Sequence, residues 1–285
     1  MGRVVDGAMN KPRRPAAGPG PHNTHPGARS GDGRAAFSAA NSNTRILGPR
    51  PFVLPRPAAT ESAASAGPPA NLGLNSERQR HEMVRRLRAQ GITDERVLAA
   101  MGAVPRHLFV DQGLASRAYD DAALPIGYSQ TISQPWVVAH MIEAMARDRT
   151  PQKVLEIGAG CGYQAAVLAQ FVPVVHAVER VQGLYEQARR HLDALALPGR
   201  VHLSFGDGMA GLARHAPFEG IVVAAAGVKI PEVLFDQLAV GARLIAPEGS
   251  THQRLMLIER TGPASWQRTE LEPVRFVPLR PGTQA

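Results

Sequence analysis

Short apolar runs recur along the second half of the chain, separated by stretches whose apolar positions follow a helical spacing. Five of these runs have the length and composition of strands buried in a parallel sheet. They are Val154–Ile157, Val174–Val178, Val201–Phe205, Ile221–Ala226 and Gly241–Pro247. Helices are predicted at Leu184–Leu195 and Pro231–Leu238, and Arg254–Glu259 and Leu271–Leu279 are predicted to close the sheet as an antiparallel pair. This alternation predicts a doubly wound α/β fold with a mostly parallel sheet and ligands at the strand ends.

Two helices are predicted ahead of this region. The first runs from Ser76, a plausible N-cap, to Gln90, and Gly91 ends it. Thr93 is predicted to cap the second helix, Asp94–Gly102, which has apolar residues at core spacing. The segment Val104–Val110 then interrupts the helical pattern.

Residues 1–75 differ in composition from the rest of the chain. They hold 11 of the 24 prolines and 10 of the 28 glycines, and they show no apolar period. Such a segment cannot bury enough surface to offset its chain entropy, so a disordered N-terminal tail is expected. One domain is then predicted over residues 76–285, divided into residues 76–150 and a ligand-binding core over residues 151–285.

Charge and cysteine content limit the classes of partner. The net charge of +8 comes mostly from residues 1–75, which carry nine basic and three acidic groups. The other 210 residues carry 23 basic and 21 acidic groups, a weak electrostatic footprint for nucleic acid. One cysteine excludes an internal disulfide, and no apolar run is long enough for a membrane span or a secretory signal. A cytoplasmic protein without nucleic-acid or membrane partners is therefore expected, and a monomer is the default.

The most informative stretch is Lys153–Gln170, in which a strand-like run leads through Gly158, Gly160 and Gly162 into a helix-forming segment. Strand, glycine-rich turn and helix are the first half of a nucleotide-binding unit. A dinucleotide fingerprint is G-x-G-x-x-G, but the third glycine here comes one residue early. The variant resembles the loop of class I S-adenosylmethionine-dependent methyltransferases. From the loop alone, a dinucleotide enzyme and a structural turn stay open.

The segment from Asp121 to Met145 carries a second unusual pattern. Leu124–Gly127 indicates a turn into a loop, and Gln130–Ser133 reads Gln-Thr-Ile-Ser. Ser133 is expected to cap a helix whose first turn contains Pro135, a position where proline is tolerated. A helix N-terminus offers unpaired amides and partial positive charge, which suit a carboxylate.

These motifs resemble the protein-L-isoaspartate O-methyltransferase family over about Arg78 to Pro278. The similarity includes the turn at Val104–Arg106 and the late segment Val274–Leu279. Three departures from the family pattern are Ser129, Cys161 and Gly227–Lys229, none of which removes a group that the chemistry requires. The resemblance implies a Rossmann-like class I methyltransferase fold in which residues 76–150 supply N-terminal helices and an acceptor loop.

The resemblance also implies roles for individual residues. The implied cofactor is S-adenosylmethionine, with cofactor-binding residues Glu156, Gly158, Gly160, Gly162, Glu179, Asp207 and Gly208. The acceptor is implied to contact Gln130, Thr131, Ile132 and Ser133, and Ser133 matches the active-site serine of the family. Glu179 lies 21 residues after Gly158, close to the spacing of about 20 at which an acidic residue binds ribose hydroxyls. Asp207 is implied to accept a hydrogen bond from adenine, although a plain turn aspartate is the structural alternative.

The implied reaction is methyl transfer to the α-carboxylate of L-isoaspartyl residues in damaged proteins, followed by repair through a succinimide. Two alternatives stay open: a class I methyltransferase with a small-molecule or nucleic-acid acceptor, and a cofactor-binding protein without catalysis. No metal site is predicted, because the histidines and the cysteine lack ligand spacing. His191 and Cys161 are both expected to serve packing.

Overall fold

The computed structural model describes residues 72–285. Six α-helices lie in this part of the chain: α1 Leu72–Ala89, α2 Glu95–Ala103, α3 Pro135–Ala146, α4 Tyr163–Leu168, α5 Gln182–Asp193 and α6 Val233–Asp236. Nine strands accompany them: β1 Leu124–Gly127, β2 Gln130–Ile132, β3 Lys153–Ile157, β4 Val174–Glu179, β5 Arg200–Phe205, β6 Phe218–Val223, β7 Leu238–Glu248, β8 Gln253–Gly262 and β9 Ser265–Val274. The predicted tail, except for its last four residues, lies outside the described residues.

Seven of the strands form one sheet in the order β5-β4-β3-β6-β7-β8-β9. The pairs from β5 to β7 are parallel, whereas β7, β8 and β9 pair in antiparallel fashion. Ile157 at the end of β3 pairs with Val178 of β4 and with Val223 of β6. The carboxyl ends of the three central strands therefore meet at one edge, as the mostly parallel α/β prediction requires.

Alternate residues of the central strands serve two cores on opposite faces of the sheet. Val154 packs with the core that contains residues of α1 to α5, while Leu155 and Ile157 pack with the core around Leu234 of α6. Because β3 is covered on both faces, its apolar run is nearly continuous. None of the helices in residues 72–285 combines the length and hydropathy that a membrane span needs.

The N-terminal helices begin differently from the sequence prediction. Helix α1 starts at Leu72, so Ser76 lies inside it and is not its N-cap. Helix α2 is capped by Asp94, whose carboxylate accepts a hydrogen bond from the Arg96 amide at 2.9 Å, and the prediction of Thr93 was wrong. The reason is that the Thr93 amide and hydroxyl both donate to the buried carboxylate of Glu143 on α3.

The predicted turn and loop after residue 124 is instead a short β-hairpin of β1 and β2. Tyr128 and Ser129 form its tip with φ angles of 52° and 56°. Two consecutive residues with positive φ give the kind of turn whose twist matches the strands it joins. Strands of four and three residues are too short for an alternating pattern to reveal them.

Helix α3 begins at Pro135, which confirms a proline in its first turn. Its N-cap is Gln134, so the prediction that Ser133 caps this helix was wrong. The Trp136 amide is instead met by the carboxylate of Asp121 at 3.3 Å. The Ser133 hydroxyl is therefore not used to cap α3.

Two C-terminal elements also differ in extent. Helix α6 covers only Val233–Asp236, although a helix was predicted from Pro231 to Leu238. The closing antiparallel pair is confirmed, but β9 ends at Val274 and its partner extends to Gly262. The segment after β9 runs beside Ala226, which donates to Val277 and accepts from Leu279, both at 2.8 Å. This segment therefore returns to the sheet edge where the central strands end.

Candidate active site

The loop between β3 and α4 turns through three glycines in the left-handed region of the backbone. Gly158, Gly160 and Gly162 have φ angles of 85°, 55° and 89°, at which a side chain is strained. The amides of Gly158 and Ala159 both donate to the carbonyl oxygen of Val178, at 2.9 and 3.0 Å. The predicted sharp turn is confirmed, and it is fastened to the neighbouring strand.

The carboxylate of Glu179 lies at the end of β4, where it was predicted. One oxygen accepts a hydrogen bond from the Gly160 amide and the other from the Val181 amide, each at 2.8 Å. Burial raises the pKa of this carboxyl, although both amide bonds act in the opposite direction. These bonds fix the carboxylate between the loops that follow the first two strands of the nucleotide-binding unit.

Glu156 is a fully buried carboxyl within β3. One oxygen accepts a hydrogen bond from the Gln164 side-chain amide at 3.1 Å. The other oxygen has no hydrogen-bond partner in the part of the chain that the structure describes. Burial raises the pKa of this group to about 8. A buried acceptor without a partner is costly, so it indicates a ligand that brings a hydrogen-bond donor or a positive charge.

A cavity opens where these loops meet the β1–β2 hairpin, and it contains about 900 Å³ of space including its open mouth. This size suits a nucleoside-containing ligand. Most of the predicted site residues line it, and they come from four different segments of the chain. They are Gln130, Thr131, Ile132, Ser133, Glu156, Gly158, Gly160, Glu179 and Gly208. Residues from distant parts of the sequence are thus brought together at the strand ends.

Two predicted cofactor residues do not line this cavity. Gly162 is the N-cap of α4 and packs toward α5, where an added side chain would meet Ala188 and Leu192 at 3.3 Å. The Asp207 carboxylate accepts hydrogen bonds from the amides of Met209 at 2.8 Å and Gly282 at 2.7 Å. In this structure Asp207 is a turn aspartate that also holds the C-terminal segment, and its contact with adenine stays a prediction.

A groove adjoins the cavity and shares Thr131, Ser133, Ala224 and Val277 with it. Its other walls come from the residue ahead of β1, from the start of α3 and from the segment at the end of β9. They are formed by Ala123, Gln134, Trp136, Val137, Pro273, Val274, Arg275 and Phe276. Arg275 is the one charged residue among these walls. The groove therefore offers an extended, mostly neutral surface that leads to the cavity.

Ser133 stands at the boundary between cavity and groove. Its carbonyl oxygen accepts a 2.7 Å hydrogen bond from Nη2 of Arg106. Its hydroxyl has no hydrogen-bond partner within residues 72–285, so it is available to a ligand in either space. This placement, which Thr131 shares, puts a polar side chain at the junction of the two spaces.

Two residues that lie near this site, without lining the cavity or the groove, were not identified as functional from the sequence. Arg106 is completely buried behind Ser133, although one arginine in an apolar stretch gives no signal of burial. Tyr128 lies at the exposed hairpin tip, and its hydroxyl lies where a side chain on Gly183 of α5 would be. Both contacts join segments far apart in sequence, which periodicity does not reveal.

Cys161 and His191 both pack against their neighbours, as predicted, and Cys161 also lines the cofactor cavity. Cys161 is buried, and burial raises the pKa of its thiol to about 11, which favours the neutral thiol over the thiolate at neutral pH. His191 Nδ1 lies 2.9 Å from the Cys161 carbonyl oxygen, and its ring packs edge-on against Phe109. Across residues 72–285 there is no group of three or more histidine, cysteine, aspartate or glutamate side chains arranged for a metal ion.

Comparison with known proteins gives a consistent result. Residues 78–284 match the family model described as protein-L-isoaspartate(D-aspartate) O-methyltransferase. A Bordetella petrii protein named protein-L-isoaspartate O-methyltransferase is 65% identical over 277 residues, covering 97% of this chain and 100% of that protein. A Burkholderia ambifaria protein of the same name is 50% identical over 260 residues, covering 90% and 83%.

Solved structures show the same similarity. One named protein-L-isoaspartate O-methyltransferase superposes with a TM-score of 0.65 and 28% identity, covering 72% of this chain and 67% of that one. A Plasmodium falciparum structure of this type contains S-adenosyl-L-homocysteine and superposes with a TM-score of 0.60, covering 70% and 98%. At 22% identity, the second comparison shows the fold alone.

Proposed function

The chain belongs to the protein-L-isoaspartate O-methyltransferase family, and on that premise we propose which of its residues bind cofactor and acceptor. It is an S-adenosylmethionine-dependent protein carboxyl methyltransferase that acts on L-isoaspartyl residues of damaged proteins. Methylation of their α-carboxylate starts repair through a succinimide. The family assignment favours this function over a small-molecule or nucleic-acid acceptor and over a protein that only binds the cofactor.

The cavity residues fit S-adenosylmethionine, which supplies a methyl group carried on a positively charged sulfur. Glu179 is proposed to accept hydrogen bonds from the ribose hydroxyls, because its buried carboxylate is already fixed at the end of β4. Glu156 is proposed to receive the ammonium group of the methionine part with its unpartnered oxygen. The backbone of Gly158 and Gly160 then forms the wall beside the ligand.

The groove is proposed to hold the acceptor polypeptide, with Gln130–Ser133 at its inner end. The Ser133 hydroxyl and the amides around Ile132 and Ser133 are proposed to hold the acceptor carboxylate. The observation that carries this assignment is the position of Ser133, which borders both the cofactor cavity and the groove. An acceptor in the groove therefore reaches the cofactor beside this residue.

The proposed chemistry needs no strong general base. A carboxylate with an ordinary pKa near 3.5 is already ionised at neutral pH. The residues of the site therefore contribute by aligning the attacking oxygen and by excluding water from it. Neutral walls such as Ala224 and Val277 suit the removal of water from an anion that two amides and a hydroxyl hold.

The test is methyl transfer to two peptides that differ only in an isoaspartyl or an aspartyl linkage. Transfer to the isoaspartyl peptide alone is expected, because only that linkage runs the peptide bond through the β-carboxyl and leaves the α-carboxylate free. Equal transfer to both peptides, or to neither, would contradict the assignment. A matched peptide with an isoasparaginyl residue controls for binding without an ionised acceptor.

We further propose that the chain from α1 onward, which begins at Leu72 instead of the predicted residue 76, is the catalytic unit and acts as a cytoplasmic monomer. Composition supports the first point, because residues 1–75 lack an apolar period. A chain that begins at Gly67, ahead of α1, is expected to keep the melting temperature and turnover of the full chain. Light scattering tests the monomer, and cell fractionation tests the compartment.

A further inference from the structure

Arg106 is a charged side chain with no exposed surface, in a short 3-10 helix over Arg106–Phe109. It is the one arginine or lysine among the buried residues of the described chain. Its Nε donates to the carbonyl oxygen of Ala118 and its Nη2 to that of Ser133, both at 2.7 Å. The guanidinium therefore joins a segment ahead of the hairpin to the serine at the boundary of the two spaces.

The same guanidinium contacts the cofactor side of the site. Its central carbon lies 4.8 Å from the centroid of the Tyr163 ring, over the face of the aromatic system. Tyr163 is buried, begins α4 directly after the glycine loop, and lines the cofactor cavity. A cation over an aromatic face is attracted by the negative potential of the ring. Arg106 thus bridges the acceptor segment and the cofactor helix.

Burial of the Arg106 guanidinium is unfavourable in free energy if the side chain only fills space. No carboxylate forms an ion pair with Arg106 among the salt bridges of residues 72–285. Its Nη1 has no hydrogen-bond partner within the described chain. Burying a charge without a counter-ion is unfavourable, whereas an apolar side chain fills the same volume without that cost. The cost indicates a role for the guanidinium itself.

We propose that Arg106 is a positioning residue for methyl transfer, which fixes the backbone of Ser133 and hence the direction of its hydroxyl. A two-armed donor suits this task, because it fixes both the carbonyl of Ser133 and its distance from Ala118. The inference rests on the proposed function of Ser133 in holding the acceptor. Arg106 acts through Ser133 and contacts neither acceptor nor cofactor.

The test compares Arg106→Lys with Arg96→Lys. Lysine keeps the positive charge and the stem but cannot hold two carbonyls in the same geometry. Arg96 is the control, because it also donates to two carbonyls, those of Ala146 and Arg149, at a place outside the cavity and the groove; it differs from Arg106 in its ion pair with Asp94. Both variants lose a pair of hydrogen bonds from one guanidinium to two carbonyls, but only Arg106→Lys loses this pair next to Ser133.

Arg106→Lys is expected to lower kcat/KM for the isoaspartyl peptide by about tenfold or more, because small misplacements of reacting groups have effects of this size. Its affinity for S-adenosylhomocysteine, measured by calorimetry, is expected to stay within about twofold of the wild type. Arg96→Lys is expected to lower the melting temperature by a similar amount while turnover stays near normal. Equal activity of the two variants, or a parallel loss of cofactor affinity, would overturn the proposal.

The double variant Arg106→Lys/Ser133→Ala separates this inference from the proposed function. If Arg106 acts through Ser133, the double variant loses little more activity than Ser133→Ala alone. Additive losses would show that Arg106 acts elsewhere and would overturn the inference alone. Full activity of Ser133→Ala would instead remove Ser133 from the proposed function. If Arg106→Lys does not fold, Arg106→Gln, which keeps one donor arm, takes its place with the same expected outcomes.

Discussion

The Gly160 amide donates a 2.8 Å hydrogen bond to the carboxylate of Glu179, 19 residues further along the chain. One end of this bond lies in the glycine-rich turn after β3, and the other lies at the end of β4. The turn is therefore held against the carboxylate before any ligand arrives, which reduces the ordering that binding requires. Glu179 is expected to serve both the ligand and the loop that faces it.

Glu179→Ala is expected to weaken S-adenosylmethionine binding by about 1–3 kcal/mol, the usual effect of unpairing buried hydrogen-bonding groups. The loss includes the released amides of Gly160 and Val181 as well as the ribose contact. Calorimetry measures it, and Glu186→Ala on the outer side of α5 is the matched control. Unchanged affinity, or binding of NAD in preference, would contradict the cofactor assignment.

Glu156 predicts a pH dependence for the ligand-free protein. Its folded-state pKa of about 8 lies above the ordinary value of 4.5, so folding takes up a proton between these two pH values. The free energy of unfolding therefore falls as the pH rises through this window, and it levels off above about pH 8. Relative to Glu156→Gln, the wild-type slope is expected to be steeper by about 1.4 kcal/mol per pH unit. Denaturant unfolding at several pH values measures it.

The same group is expected to release its proton when S-adenosylmethionine binds at pH 7. The pKa of Glu156 falls when an ammonium group meets its unpartnered oxygen. Calorimetry in two buffers of different ionisation enthalpy measures the proton release, and Glu156→Gln should show none. An identical binding enthalpy in both buffers for the wild type would count against this ammonium contact.

The contact between Tyr128 and Gly183 predicts a closing role for the hairpin. An added Cβ on Gly183 would lie 1.8 Å from the Tyr128 hydroxyl, so Gly183→Ala displaces the mobile end of that side chain at little cost in stability. The hairpin and α5 both line the cavity, through Ile126 and Leu184. Gly183→Ala is therefore expected to speed release of S-adenosylhomocysteine severalfold in stopped-flow experiments. Tyr128→Ala should reproduce the effect, and the double variant should add nothing.

The strand ends and the glycine loop were predictable because their signals are local. An apolar run followed by glycines marks the end of β3, and Glu179 follows the next apolar run directly. The position of Ser133 was harder to predict, because the path of the backbone determines which residue becomes the N-cap of a helix. Gln134 caps α3 while Arg106 holds the Ser133 carbonyl from 27 residues away. The spacing of apolar residues along the sequence does not predict such a non-local contact.

The groove gives a similar lesson. Its walls join the start of α3 to the segment after β9, about 140 residues later in the chain. The late segment was recognised by its resemblance to a family, but its place beside Ala226 depends on how the sheet closes. Sequence patterns give the elements, whereas the spaces between elements follow from their packing.

Arg275 predicts a charge preference among acceptors. It is exposed, has no carboxylate partner in residues 72–285, and is the one charged wall of the groove. A peptide with glutamate beside the isoaspartyl residue is expected to exceed its lysine counterpart in kcat/KM by up to about fivefold, the effect of an exposed ion pair. Arg275→Glu should reverse the preference, and added salt should weaken it. Arg200→Glu on the far strand β5 is the control for net charge.

Ser133→Ala separates the chemical role of the hydroxyl from any structural role. Because Ser133 does not occupy the N-cap position of α3, removal of the hydroxyl is expected to change stability by less than about 0.5 kcal/mol. Turnover of the isoaspartyl peptide should nevertheless fall by far more than stability explains, because misalignment of the acceptor raises the barrier. Affinity for S-adenosylhomocysteine should hardly change, since the adenosyl part of the ligand does not depend on this hydroxyl.

Ser133→Asp is expected to be less active than Ser133→Ala, because it places a negative charge against an anionic acceptor. Melting temperature, cofactor affinity and peptide methylation are measured on both variants and on Ser250→Ala, an exposed serine outside the cavity and the groove. A loss of stability that matches the loss of turnover would assign Ser133 a structural role. Full activity of Ser133→Ala would leave the backbone amides as the sole anchor of the acceptor carboxylate.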